Sequence, residues 1–309
     1  MIAVDIPGTG DRVAERLRTS LGLGATDIFA LGPDDTDCRG AEVLIFIDTD
    51  RERFEKVLDP GVKWVHSLST GVDHVPLDLI GERHLTCSRG ANAIPIAEFV
   101  LASMLAFEKK MPEVWITSAD EWRYLSLGGL EGKTLGLIGL GVIGIETAKR
   151  ALAFDMEVLA YRRTGAPSAV PGIAVVSDLV EVLSAADHLV VAAPATAQTR
   201  HIVGTAAFEA MKQGVHLINI SRGSLVDQDA LIDAIESGKI SRATLDVTDP
   251  EPLPEGHPLY SHPNVRISAH TSWSAPTSIG RSIELFEENV RLYLSGRPLV
   301  GIVDVEAGY

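Results

Sequence analysis

The stretch "GLIGLGVIGIETAKRAL", residues 136–152, decides the fold. Gly139, Gly141 and Gly144 stand in the spacing G-x-G-x-x-G, with an apolar β-branched run before them and a helical pattern after. The spacing alone arises by chance, but between a strand and a helix it acquires a mechanism. The first glycine makes the tight turn. The second lets the backbone approach a diphosphate with no Cβ in the way, and the third lets helix and strand pack closely. A helix expected over 142–154 then begins with Val142 and Ile143, whose free N–H groups and positive dipole end face the diphosphate. Dinucleotide binding is the reading that follows.

Working outward, apolar runs that read as strands alternate with helical patterns, which points to parallel sheets covered by helices. Around the glycine turn the strands are expected at 134–141, 157–161, 173–176, 188–193, 215–221, 242–247 and 264–269. Their near-continuous apolar character fits burial on both faces. A helix over 227–237 stops at Gly238, and 250–263, with five prolines, is expected as loop. A weaker series precedes it, with strands expected at 2–5, 42–48, 62–67 and 84–88 and a helix at 11–21. A long helix around 97–111 enters the second unit. A final helix over 277–295 returns to the first, which is therefore discontinuous. The expected division is 1–96 with 277–309 as the substrate domain and 97–276 as the dinucleotide-binding domain, with a cleft between them as the ligand site.

Composition narrows the function. The 309 residues carry a net charge of -15, with 46% hydrophobic and 22% charged residues. That balance argues against a nucleic-acid footprint, which needs clustered Lys and Arg. The longest helix-like apolar run, "FVLASMLAF" at 99–107, is far too short to cross a bilayer, so no membrane partner is expected. Two cysteines, Cys38 and Cys87, cannot build a disulfide framework, and no secretory signal is visible at the N-terminus. A cytoplasmic protein with reduced thiols is expected.

The stretch "YRRTG", 161–165, selects the cofactor. An Asp or Glu usually ends this strand and holds the ribose hydroxyls of NAD. Arg162 takes that place, eighteen residues after Gly144, and Arg163 follows it. A guanidinium offers a planar fork of donors to a 2′-phosphate, which a carboxylate would repel. NADP(H) is therefore expected over NAD(H), with Thr164 adding a hydroxyl contact.

Three later stretches, "NISRGSLVD", "LDVTDPEP" and "SAHTSW", fall where strands of the second unit end, the edge at which parallel sheets bind ligands. Arg222, Asp246, Glu251 and His270 thereby converge on one edge. In order and spacing these stretches, with the glycine turn, "SLSTGVDHV" at 67–75 and "AIPIAEFVLASML" at 93–105, resemble the D-isomer-specific 2-hydroxyacid dehydrogenase family, its glyoxylate/hydroxypyruvate reductases in particular. The resemblance implies Arg222, Glu251 and His270 as the catalytic set and Asp246 as the acid that orients the nicotinamide. It implies substrate binding by Thr70, Gly71 and Val72 through backbone N–H groups, with Arg222 and His270. Pro194, Thr199 and Ile220 complete the expected cofactor contacts, together with His270.

The chemistry suits these residue types. A 2-oxo acid needs a cation for its carboxylate, which Arg222 supplies. It also needs a proton donor for its carbonyl oxygen, and histidine is the side chain that ordinarily titrates near neutral pH. An acid such as Glu251 beside an imidazole fixes the ring and stabilises its protonated form. His66 and His74 flank the 67–75 loop without metal-ligand spacing, and no metal is expected. Trp122 is ambiguous, and Trp273 belongs either to the pocket wall or nicotinamide cover, or to the core. Two departures leave the substrate open: "SAH" lacks the proline the family often has before His, and Thr248 stands where an aromatic is common. Nothing after the last helix suggests a regulatory domain.

The expected fold class is α/β: two doubly wound parallel-sheet domains, a Rossmann cofactor domain and a flavodoxin-like substrate domain. The expected function is reduction of a small 2-oxo acid to the D-2-hydroxy acid, in a homodimer. The alternatives are a non-catalytic NAD(P)-sensing binding protein and an NAD-linked phosphoglycerate-type dehydrogenase.

Overall fold

A strand that is apolar on both faces has to be covered on both, and the only inexpensive cover for a parallel sheet is its own crossover helices. The computed structural model describes residues 1–47 and 50–309. It divides into two compact units, Met1–Asn92 with Ala275–Tyr309, and Ala93–Ser274.

The first unit contains β1 (Ile2–Asp5), α1 (Gly10–Leu21), β2 (Ile28–Ala30), β3 (Val43–Phe46), α2 (Arg51–Val57), β4 (Trp64–Ser67) and β5 (His84–Cys87). Its sheet is wholly parallel in the order β2-β1-β3-β4-β5, the flavodoxin-like arrangement. Asp48, the last residue of the strand expected at 42–48, lies outside the described residues. The sequence pattern did not predict β2, since three residues are too few for periodicity to read. The C-terminal helix Ser278–Leu294 packs Ile283, Phe286 and Val290 into this unit's core, with the Phe286 ring 5.2 Å from that of Trp64.

The second unit continues with α3 (Ala93–Glu108), β6 (Thr134–Ile138), α4 (Val142–Leu152), β7 (Glu157–Tyr161), β8 (Ile173–Val176), α5 (Leu179–Ala185) and β9 (His188–Val191). It ends with α6 (Thr205–Ala210), β10 (Val215–Asn219), α7 (Gln228–Glu236), β11 (Ile240–Leu245), α8 (Pro258–Ser261) and β12 (Val265–Ile267). All seven strands run parallel in the order β12-β11-β10-β9-β6-β7-β8. The order reverses between β6 and β9, the switch point at which such sheets bind ligands.

Two expectations change in detail. Helix α3 starts at Ala93, four residues before the expected 97, because Pro95 falls in its first turn, where a missing N–H costs no hydrogen bond. The stretch 250–263 is not all loop: Pro258 opens α8 with its φ already helical, and the His257 Nδ1 accepts the Leu259 N–H at 3.3 Å. Among the described residues no helix is long and apolar enough to cross a membrane.

One buried group makes stability depend on pH. Ser88 donates its hydroxyl to the Ser282 carbonyl at 3.4 Å, so its oxygen accepts from His66 Nε2 at 3.3 Å. His66 Nδ1 then accepts from Thr86 at 2.7 Å, and the Thr86 oxygen accepts the Trp64 indole N–H at 2.8 Å. The ring is thereby held neutral, and burial pushes its pKa down to about 3. In the unfolded chain a histidine titrates near 6.5. Between those values the unfolded state binds the extra proton, so stability falls with falling pH by about 1.4 kcal/mol per pH unit and levels off below the lower value. Urea unfolding of wild type and His66→Gln from pH 6.5 to 4 should differ in slope by about one proton. Equal slopes would mean that folded His66 protonates.

Candidate active site

Strand β6 is followed at once by Gly139, whose φ of +101° and crowding exclude any side chain: a Cβ would lie 2.8 Å from the Ala192 carbonyl oxygen and from the Ala193 nitrogen. At Gly144 a Cβ would come within 2.7 Å of the Gly139 oxygen. Gly141 differs, because a Cβ there would meet nothing within 4 Å. Two glycines are demanded by the turn itself, and the third keeps a surface open. Over that surface the N–H groups of Val142, Ile143 and Gly144 have no acceptor among the described residues; the first helical bond runs from Ile145 to the Gly141 carbonyl. Three free donors at a helix N-terminus, under open space at the switch point, fit the diphosphate of a dinucleotide.

Arg162 follows β7 directly, and the β7 terminus holds the turn, since Gly139 donates to the Tyr161 carbonyl at 3.1 Å. Its backbone N–H donates to Val176 at 3.0 Å, and Nη1 reaches the Ala166 carbonyl at 3.4 Å. Arg163 and Thr164 are exposed beside it, and the Thr164 oxygen accepts the Ala166 N–H at 3.4 Å. After β9, the Thr199 hydroxyl donates to the Pro194 carbonyl at 2.7 Å, closing that loop on itself. Ile220 has its side chain in the core, which leaves its backbone as the part available to a ligand.

At the same sheet edge, Asn219 ends β10 and shapes the turn that carries Arg222. Its amide donates to the Arg222 carbonyl at 2.9 Å and its oxygen accepts the Ser221 N–H at 3.1 Å. The next residue, Gly223, lies against the 248–249 peptide, where a Cβ would sit 2.0 Å from the Thr248 carbonyl carbon. Gln228 grips the same loop, donating to the Asp249 carbonyl at 2.5 Å and accepting the Asp249 N–H at 3.2 Å. The Arg222 turn and the loop carrying Glu251 are thus locked together. Glu251 Oε1 lies 2.9 Å from His270 Nδ1, with both side chains part-exposed.

His270 itself has φ +51°, the left-handed region, which costs a side-chain-bearing residue on the order of 1 kcal/mol. Asp246, buried after β11, holds it there. The Asp246 carbonyl accepts the His270 N–H at 2.9 Å. Its carboxylate accepts Ser268 Oγ at 2.6 Å and the N–H groups of Thr271 and Ser272, each at 2.9 Å. This bending accounts for β12 stopping at Ile267 rather than running to the expected 269.

In the first unit, Thr70, Gly71 and Val72 follow β4. Their three successive N–H groups find no acceptor among the described residues, while the Val72 side chain is buried in the core. Such a row of amides is a concave anion site. Sequence reasoning passed over Asn219, Gly223 and Gln228. Gly223, next to a candidate arginine at a strand end, was the one available signal; the other two act through backbone groups of a loop remote in sequence.

Comparison with known proteins identifies the family. Residues 101–272 match the family model for the D-isomer specific 2-hydroxyacid dehydrogenase, NAD binding domain. The chain is 32% identical over 282 residues to the glyoxylate reductase of Thermofilum pendens, covering 87% of this chain and 83% of that one. It is 34% identical over 254 residues to the D-3-phosphoglycerate dehydrogenase of Archaeoglobus fulgidus, spanning 79% of this chain but 48% of that protein. Among solved structures, the NADPH-dependent glyoxylate/hydroxypyruvate reductase of Sinorhizobium meliloti in complex with NADP and sulfate superposes with a TM-score of 0.84 at 26% identity, covering 100% of this chain and 99% of that one. A nicotinamide-dinucleotide turn and a histidine–carboxylate pair at one parallel-sheet edge accompany these matches, and the chain belongs to the D-isomer specific 2-hydroxyacid dehydrogenase family.

Proposed function

We propose that this protein is a cytosolic, NADPH-preferring reductase of a small 2-oxo acid of the glyoxylate or hydroxypyruvate kind, forming the D-2-hydroxy acid. The observation that carries the reading is the 2.9 Å His270–Glu251 pair at the carboxyl edge of the sheet that also holds the glycine turn. Glu251 occupies Nδ1, which leaves Nε2 to hold and deliver a proton. Arg222 supplies a cation for the substrate carboxylate, and the amides of Thr70, Gly71 and Val72, without an acceptor among the described residues, are of the kind that binds an anion. When bound, NADPH supplies the hydride that goes to the carbonyl carbon. His270 protonates the carbonyl oxygen, and in the reverse direction removes that proton. A carboxylate has about four acceptor positions; three on Asp246 are taken by the His270 loop, and the fourth is assigned to the nicotinamide amide.

The cofactor preference rests on Arg162, with Arg163 and Thr164 beside it. The Sinorhizobium reductase is NADPH-dependent, whereas the Archaeoglobus relative carries the phosphoglycerate name; a guanidinium at 162 favours the first kind. The homodimer rests on the stretch after α3, where Trp115, Trp122 and Tyr124 are 66%, 83% and 95% exposed. Three large aromatics so close in sequence and so exposed need a cover, and a second copy of the chain is assigned as that cover.

Three outcomes are expected. Purified protein should consume NADPH with glyoxylate or hydroxypyruvate, and His270→Gln should lower kcat by about 10²–10⁴-fold while NADPH still binds. No turnover across a panel of 2-oxo acids, with NADPH bound, would favour the sensing alternative. Arg162→Asp should cut the ratio of kcat/KM for NADPH over NADH by at least about tenfold, through loss of a charge-assisted contact; an unmoved ratio would remove Arg162 from the cofactor site. Light scattering at micromolar concentration should give twice the 33.1 kDa chain mass, and a monomer would refute the dimer.

A further inference from the structure

We propose that Trp273 is a positioning residue for His270, an inference that rests on reading His270 as the proton donor. The Trp273 indole Nε1 donates to the His270 carbonyl at 2.8 Å. That carbonyl and the Thr271 N–H belong to one peptide unit, and the Thr271 N–H is held by Asp246 Oδ1 at 2.9 Å. The peptide after His270 is therefore pinned at both ends, one by the indole and one by the buried acid. The peptide before it is pinned by its N–H on the Asp246 carbonyl at 2.9 Å.

This matters because His270 is left-handed, at φ +51°. A residue with a side chain relaxes out of that region unless its flanking peptides are over-determined. Asp246 supplies two of the restraints, through the N–H groups of His270 and Thr271. The His270 carbonyl is the remaining group, and its direction sets ψ. Without an indole donor the peptide keeps one anchor, the Thr271 N–H on Asp246, and can rock about it; the resulting change in ψ at His270 shifts the imidazole relative to Glu251 Oε1. The donor is three residues downstream, so the restraint closes a short local ring and needs no other part of the fold. Trp273 is 40% exposed, so its N–H bond, more than its burial, is what it contributes here.

The test uses Trp273→Phe, which keeps an aromatic ring and deletes the donor. With NADPH bound, kcat for 2-oxo acid reduction should fall about fivefold to tenfold, the worth of one lost hydrogen bond in alignment. KM for the acid and the affinity for NADPH should stay within about twofold. Amide hydrogen exchange at Thr271 and Ser272 should quicken in the NADPH-bound protein, a readout that does not depend on turnover. If Trp273→Phe folds poorly, replacing the Trp273 indole by benzothiophene, the same shape with sulfur in place of N–H, asks the same question. Unchanged kcat and unchanged exchange would overturn the proposal. Loss of NADPH affinity matching the loss of kcat would overturn it as well, by making Trp273 a cofactor contact. If wild type itself reduces no 2-oxo acid, the functional reading fails, while the exchange data still decide whether the indole holds the loop.

Discussion

The buried carboxylate of Asp246 organises the chemical edge of this protein. It directly follows β11, its own N–H donates to the Asn219 carbonyl at 3.0 Å, and its two carboxylate oxygens gather Ser268, Thr271 and Ser272 from the loop after β12. Three neighbouring strand ends are thus tied through one residue. A buried carboxylate is costly unless it is fully hydrogen-bonded. Here that requirement is met by the backbone and a hydroxyl of the loop it must hold, so satisfying the charge and placing His270 are one event.

The other half of the edge is held by contacts between backbones. Gly223 allows the Arg222 turn to touch the 248–249 peptide, and Gln228 closes the same junction with reciprocal amide bonds. The turn carrying Arg222 and the loop carrying Glu251, residues twenty-nine positions apart in the chain, are thereby joined. The dinucleotide turn follows a different logic. Gly139 and Gly144 are required by crowding and Gly141 by the space it leaves, so one glycine motif contains two structural demands and one binding demand.

Much of this was legible in one dimension. The strands of the second unit were readable because each is a near-continuous apolar run covered on both faces, and all seven appear. In the first unit β2 was not readable, because a three-residue strand carries no period. Helix α3 starts four residues ahead of the expected 97, with Pro95 tolerated in its first turn. The candidate site residues Arg222, Glu251 and His270 could be named from their strand-end positions and from the family resemblance. The holding contacts could not be read: Asn219, Gln228 and Trp273, the last legible in sequence only as pocket wall, cofactor cover or core, make hydrogen bonds to backbone atoms, and a backbone atom has no letter in the sequence.

The amino-acid sequence by itself determined the class of fold, the glycine turn, the pair of arginines directly after β7 and the types of groups available for chemistry, because each depends on local composition or short spacing. Tertiary structure alone decided that His270 is left-handed, that its Nδ1 is taken by Glu251, and that the indole of Trp273 meets a carbonyl instead of only filling space. Those are matters of direction, and the direction of a side chain is set by the peptides on either side of it, which are fixed only when strands distant in sequence are brought side by side.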